Sequence, residues 1–358
     1  MGSASRRRAA VELLPPLGIT GIGSLPHSQR ELALQCSLQV DVPWLPQLPR
    51  ASRDEYMVPA ALDGLPGLQV DDEGMCTVDL AGWEAGRGDF TAKLEEGMRG
   101  GDLSAFEPTP QACRAWHPFL YEVQARGLKL AKAQLAGPVT LRWVTKLSDG
   151  RALAEEPSLD RAVFRLALAR GLAMTRALRR AGATPLFFLD EPGLFAFDGR
   201  NPSHVVVLQE LRVLASALQH EGALVGLHCC SNTDWGRLLR LGLDILAVDA
   251  RLSLDALVEE RAAFLEFLSG GGTLALGVIP TDVTAGYRVE ELADAVEATL
   301  RAVLPPSLPL EAVLKRLLLT PACGLGLRTV QDAERILGEV REAQARLRAC
   351  LTAAEARP

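Results

Sequence analysis

The sequence predicts a single (β/α)8 barrel with an insertion after its second strand. Three observations carry that expectation. From about residue 129 onward, short apolar runs alternate with longer amphipathic stretches, six pairs in a row. Two further strand candidates lie upstream and bring the count to eight. The polar residues that end these runs would all fall at the C-terminal ends of the strands, where the active sites of such barrels gather.

Taken in order, residues 18–24, GITGIGS, and 38–46, LQVDVPWLP, supply the first two strands. Residues 64–80 read as a hairpin and 89–127 as mostly helical, which puts the insertion at about 51–128. The regular alternation begins with 128–138, LKLAKAQLAGP, followed by a helical pattern over 158–182. The strand–helix pairs 185–192 and 203–220, 223–230 and 233–241, and 243–250 and 254–269 come next. The last two are 272–280 with 288–303, and 317–326 with 328–349. Continuous apolar strands separated by helices argue for a parallel sheet covered on both faces. In the final helix Val330, Ala333, Leu337, Val340 and Leu347 share one face, and Thr329 with Asp332 resembles a capping box. A doubly wound open sheet is the structural alternative. Residues 1–17 read as a flexible extension ahead of a domain spanning 18–350.

Composition narrows the function classes. The chain has 358 residues, 48% hydrophobic and 23% charged, an ordinary globular balance with ample core. That length holds two average domains, but α/β barrels reach it as one. A net charge of −6 without a basic cluster argues against nucleic acid as a partner. No stretch approaches the roughly 18 uninterrupted apolar residues of a membrane helix. The N-terminus, MGSASRRRAAVELLPPLG, has no apolar run of signal-peptide length, so a cytoplasmic location is expected. Seven cysteines scattered over the chain do not form a disulfide framework. In a reducing compartment, clustered cysteines point to a metal or to catalysis.

The strand ends carry Ser24, Asp190 with Glu191, His228 with Cys230, Asp249, and Cys323. In an extended segment, residues i and i+2 share a side, so His228 and Cys230 can reach one ion while Cys229 points away. Cys323 ends the eighth strand in TPACGLG, where glycines permit close backbone approach. Asp249 offers an oxygen. Two thiolates, an imidazole and a carboxylate suit Zn2+ in a catalytic site assembled from several strands, not in a zinc finger. The competing reading is a histidine capping a strand beside buried cysteines that behave as small hydrophobes.

The segments TGIGSLPHS, LAGPVTLRW, FLDEPGLF, HCC followed by LDILAVDA, and TPACGLG occur in this order. Together they resemble the catalytic barrel of cobalamin-independent methionine synthase, over about residues 18–345. They also resemble the wider superfamily of uroporphyrinogen decarboxylase and the zinc methyltransferases that use corrinoid proteins. The resemblance implies a (β/α)8 barrel with zinc held by His228, Cys230, Asp249 and Cys323, Asp249 standing where the family has the longer glutamate. It implies that Ile22, Gly23 and Ser24 contact an amino-acid substrate, and that the Asp190–Glu191 motif supplies a carboxylate to its amine. Trp143 matches a tryptophan associated with the pterin ring.

The implied activity is methyl transfer to a thiol, homocysteine giving methionine, because coordination to zinc keeps a sulfur deprotonated and nucleophilic in neutral water. Two departures bear on the donor. The chain has no room for the second, N-terminal barrel that helps bind methyltetrahydrofolate. The family histidine after the seventh strand is absent from GVIPTDVTAG, where Asp282 lies near the equivalent place as a candidate acid. Methyltetrahydrofolate leaves only when its nitrogen is protonated, and methylcobalamin needs no such proton. A methylcorrinoid donor is therefore placed ahead of the folate. The alternatives are a uroporphyrinogen decarboxylase-like enzyme, which needs no metal, and a non-catalytic zinc- or corrinoid-binding barrel.

Overall fold

The computed structural model describes residues 11–282 and 286–355. Its strands, in chain order, are β1 (Gly18–Ile19), β2 (Leu68–Val70), β3 (Cys76–Val78), β4 (Leu130–Ala136) and β5 (Lys146–Leu147). They continue with β6 (Thr184–Asp190), β7 (Leu224–Cys229), β8 (Ile245–Asp249), β9 (Thr273–Ile279) and β10 (Leu318–Pro321). Seven of them form one parallel sheet in the spatial order β1-β10-β9-β8-β7-β6-β4. β2, β3 and β5 form a separate small sheet, antiparallel between β2 and β3 and parallel between β3 and β5.

The two edges of the large sheet are both bonded to residues 42–47. On one side the Val42 N–H donates to the Ile19 carbonyl at 3.0 Å, and the Gln47 N–H to the Gly23 carbonyl at 3.3 Å. On the other, the Leu45 N–H donates to the Lys132 carbonyl and the Lys132 N–H to the Pro43 carbonyl, each at 2.8 Å. Pro43 and Pro46 have no N–H to give, so this expected second strand forms isolated bridges, Ser24 with Gln47 and Trp44 with Lys132, instead of a continuous ladder.

Alternation along the strands sorts their side chains into two layers. Ala131, Ala133, Leu135, Phe187, Leu189, Val225 and Leu227 join the large core beneath the helices. Leu130, Leu186, Phe188, Leu224, Ile245, Ala247, Ala275 and Leu318 form a second cluster on the opposite face. Several of these are the first residues of their strands, so the cluster fills the N-terminal end. Val11 and Leu14 belong to it and are buried, as is Leu17. The expected flexible extension is therefore packed from residue 11 onward, and its residues 1–10 lie outside the described residues. Toward the C-terminal end the same face turns polar, with Lys132, Gln134, Asp190, His228, Asp249 and Thr320 all buried.

The helices follow the amphipathic pattern closely. Pro157–Arg180 begins with proline at its first position, carries Asp160 in its first turn and Arg179 and Arg180 in its last, in keeping with the helix dipole. Pro202–His220, Val289–Val303 and Val330–Glu355 lie where expected. In the last of these Ala333, Leu337, Val340 and Leu347 are buried, and the Asp332 N–H donates to Thr329 Oγ1 at 3.0 Å. Val330 is left exposed. The pattern at 254–269 resolves into two helices, Ala250–Glu259 and Arg261–Ser269. The hairpin expected at 64–80 is β2 and β3, followed by the helices Leu80–Gly100 and Trp116–Ala125. No described helix is long and apolar enough to cross a membrane.

Candidate metal centre

His228 lies near the end of β7, Cys230 comes directly after that strand, and Cys323 follows β10. Their ligand atoms all lie within 4.8 Å of one another. His228 is buried, and both of its ring nitrogens lack a hydrogen-bond partner. A buried imidazole with two unpaired nitrogens is costly unless a ligand engages one of them. The nearness of the two sulfurs holds Cys230 below the usual thiol range and, together with burial, pushes Cys323 up to about 12 against the opposing pull of His228. One imidazole and two half-buried thiols converging on one point match the donors that zinc takes. Cys229, as its place in the alternation requires, turns away: its Sγ donates to the Ser231 carbonyl at 3.2 Å.

Asp249 is not among the clustered donors. Its Oδ1 accepts the N–H groups of Arg251 at 2.9 Å and Leu252 at 3.1 Å, capping the helix Ala250–Glu259. The shorter side chain, standing where the resemblance implies glutamate, closes on its own helix.

Asp190 ends β6 directly beside His228, its register partner on β7. Burial raises its carboxyl to about 6, against the attraction of Lys132 and His228, and its Oδ1 is buried without a partner. Glu191 has a different task. Its Oε1 accepts the Val139 N–H at 3.1 Å, and its Oε2 accepts the Thr140 N–H at 2.7 Å and the Thr140 hydroxyl at 2.6 Å. Both oxygens are thus spent on the start of the helix Pro138–Val144, while burial raises the group to about 7. Gly137 makes this approach possible, because a Cβ there would lie 2.1 Å from Glu191 Oε1. Gly137→Ala should therefore destabilise the chain by about 1–3 kcal/mol, read from denaturant midpoints. Elsewhere a glycine replaced by alanine in a compatible conformation gains about 0.4–1 kcal/mol, and a gain here would mean that Glu191 is not fixed.

The Ile22–Ser24 segment is tied down from several directions. The Ile22 carbonyl accepts Lys132 Nζ at 2.5 Å, and the Gly23 carbonyl accepts Trp44 Nε1 at 3.1 Å. Ser24 Oγ accepts the Gly326 N–H at 3.1 Å, and the Ser24 carbonyl accepts the Leu325 N–H at 3.0 Å. A Cβ on Gly324 would fall 2.4 Å from Ser24 Oγ, so the glycine after Cys323 lets this serine reach the metal-side loop. Trp143 packs on the ring of His204, centroids 4.5 Å apart. Asp282 is exposed, and Arg251 Nη2 bonds both of its oxygens at 2.8 Å, which holds its carboxyl below the usual range.

Sequence reasoning missed Lys132 and Gln134. Their signal was present: in LAKAQLA the two polar residues stand at i and i+2 of an otherwise apolar strand, which puts both on one face.

Compared with known proteins, residues 116–346 match the family model described as cobalamin-independent synthase, catalytic domain. A search of curated proteins finds no match. A solved structure assigned as an orotidine 5'-phosphate decarboxylase from Streptomyces avermitilis is 14% identical, covering 66% of this chain and 95% of that one. Its TM-score of 0.28 is too low to argue from.

Proposed function

The chain belongs to the cobalamin-independent synthase catalytic-domain family, a methyltransferase-type enzyme family of the methionine synthase kind, and on that premise we propose that it methylates the sulfur of an amino-acid thiol, homocysteine giving methionine. The observation that carries the reading is the cluster of His228, Cys230 and Cys323, with both imidazole nitrogens buried and unpartnered. These three side chains would hold zinc, in a (β/α)8 barrel whose eighth position is residues 42–47 and whose insertion spans about 51–128. Bound there, zinc would keep a substrate thiol deprotonated at neutral pH. Asp190, with a buried free oxygen beside His228, accepts the substrate ammonium. Ser24 offers the strand-end contact to the carboxylate. Fixed partners at both ends hold the sulfur in line with the methyl group, which converts binding into orientation. Sulfur forms the new bond to carbon as the donor's bond to the same methyl breaks.

The family description, cobalamin-independent, favours 5-methyltetrahydrofolate over the corrinoid donor that the sequence put ahead. Asp282 does not fit the part of the acid for the folate donor: Arg251 holds its carboxyl below the usual range, and an ionised carboxylate has no proton to give a departing folate nitrogen. Purified protein should be assayed with homocysteine and each donor in parallel. Asp282→Asn should cost less than about tenfold with either donor, below the 10²–10⁴ typical of a general acid. Folate-dependent turnover that collapses in Asp282→Asn would restore it as the acid, and no transfer from either donor would overturn the methyltransferase reading.

A further inference from the structure

Among the described residues Lys132 is the only buried lysine, 1% exposed in the middle of β4. Taking an ammonium out of water costs several kcal/mol unless its hydrogen bonds and charge are compensated. Here the compensation runs toward the substrate side of the site. Nζ donates to the Ile22 carbonyl at 2.5 Å and to Gln134 Oε1 at 3.1 Å, and lies 4.8 Å from the centre of the Phe188 ring. Gln134 passes the link on, its Nε2 donating to the Leu45 carbonyl at 2.9 Å. Trp44 Nε1, from the same segment, holds the next carbonyl of the loop, that of Gly23. Burial draws Lys132 down to about 8 while the charge of Asp190 opposes the fall. A methionine would fill this volume without the cost of burying a charge, so packing alone gives no reason for a lysine.

We propose that Lys132 is a positioning residue for the amino-acid end of the thiol substrate. Its ammonium fixes the Ile22 carbonyl two residues before Ser24 and attracts the charge of Asp190 from beyond contact distance, so that the loop carrying Ser24 is held in place before the substrate binds. The role rests on the amino-acid-thiol reading above and extends it to the residue that arranges the subsite. Lys132 acts through Ile22, Gln134 and Asp190 and touches no reacting atom.

The test compares two thiols on the zinc-loaded full chain by titration calorimetry: homocysteine, and 1-propanethiol, which has no amine or carboxylate. Lys132→Met should keep its zinc, weaken homocysteine by about tenfold or more, and leave 1-propanethiol within about twofold. Lys132→Arg keeps the charge but changes the donor geometry, and should weaken homocysteine less while also sparing 1-propanethiol. If the methionine variant does not fold, the arginine variant decides on the same pair of ligands. Equal weakening of both thiols, or of neither, overturns the positioning role. A wild-type chain that binds neither thiol overturns the thiol reading itself, and the role of Lys132 with it.

Discussion

Cys323→Ser should leave a folded chain that has lost most of its zinc and, with it, methyl transfer by on the order of 10³-fold or more. The reason is local. Cys323 supplies one of three converging donors, and its hydroxyl replacement is a harder, far less acidic ligand for a borderline-soft ion. Losing the group that makes a nucleophile at neutral pH removes several kcal/mol of barrier lowering, and each 1.36 kcal/mol is about tenfold in rate. Cys230→Ser should behave in the same way. Cys229→Ser should keep its metal, because that thiol bonds to Ser231 on the other side of the strand. Metal analysis of the three variants checks this, and a Cys229 variant that alone lost zinc would reverse the assignment of faces on β7.

Asp190→Asn should raise KM for homocysteine by about 10- to 150-fold with zinc content unchanged, the equivalent of the 1.5–3 kcal/mol carried by a hydrogen bond to a charged group. The asparagine keeps the shape of the side chain but loses the charge that pairs with an ammonium. 4-Mercaptobutyrate, which has the thiol and carboxylate but no amine, should bind the variant as well as it binds the wild type. An equal loss for both compounds would mean that Asp190 shapes the pocket and does not read the amine.

Much of this arrangement is written in local patterns. Period-2 alternation placed His228 and Cys230 together and turned Cys229 away, and the structure follows it because β7 is extended through Cys229. The strand expected at 38–46 is present only as residues 42–47 with two bridges, since two prolines remove its donors. β5 escaped notice because a pair of residues, Lys146–Leu147, is too short to show any period. The packing of Val11 and Leu14 under the sheet was illegible for another reason: partners such as Leu186 and Ile245 are far away in sequence. The same holds for the site. Asp190 and Glu191 are neighbours in one motif, yet one keeps a free oxygen and the other spends both on Val139 and Thr140. Only the position of the helix Pro138–Val144 separates those tasks. Asp282 reads as a stand-in acid in the sequence, where nothing shows that Arg251, in the first turn of the helix Ala250–Glu259, holds it.

Zinc-edge X-ray absorption on the purified chain, with and without homocysteine, tests the central claim most directly. Without thiol, about one zinc per chain should sit in a shell holding one imidazole nitrogen and two sulfurs, from His228, Cys230 and Cys323. With saturating homocysteine the shell should gain one further sulfur. A chain without stoichiometric zinc, or a shell that homocysteine leaves unchanged, would contradict the account.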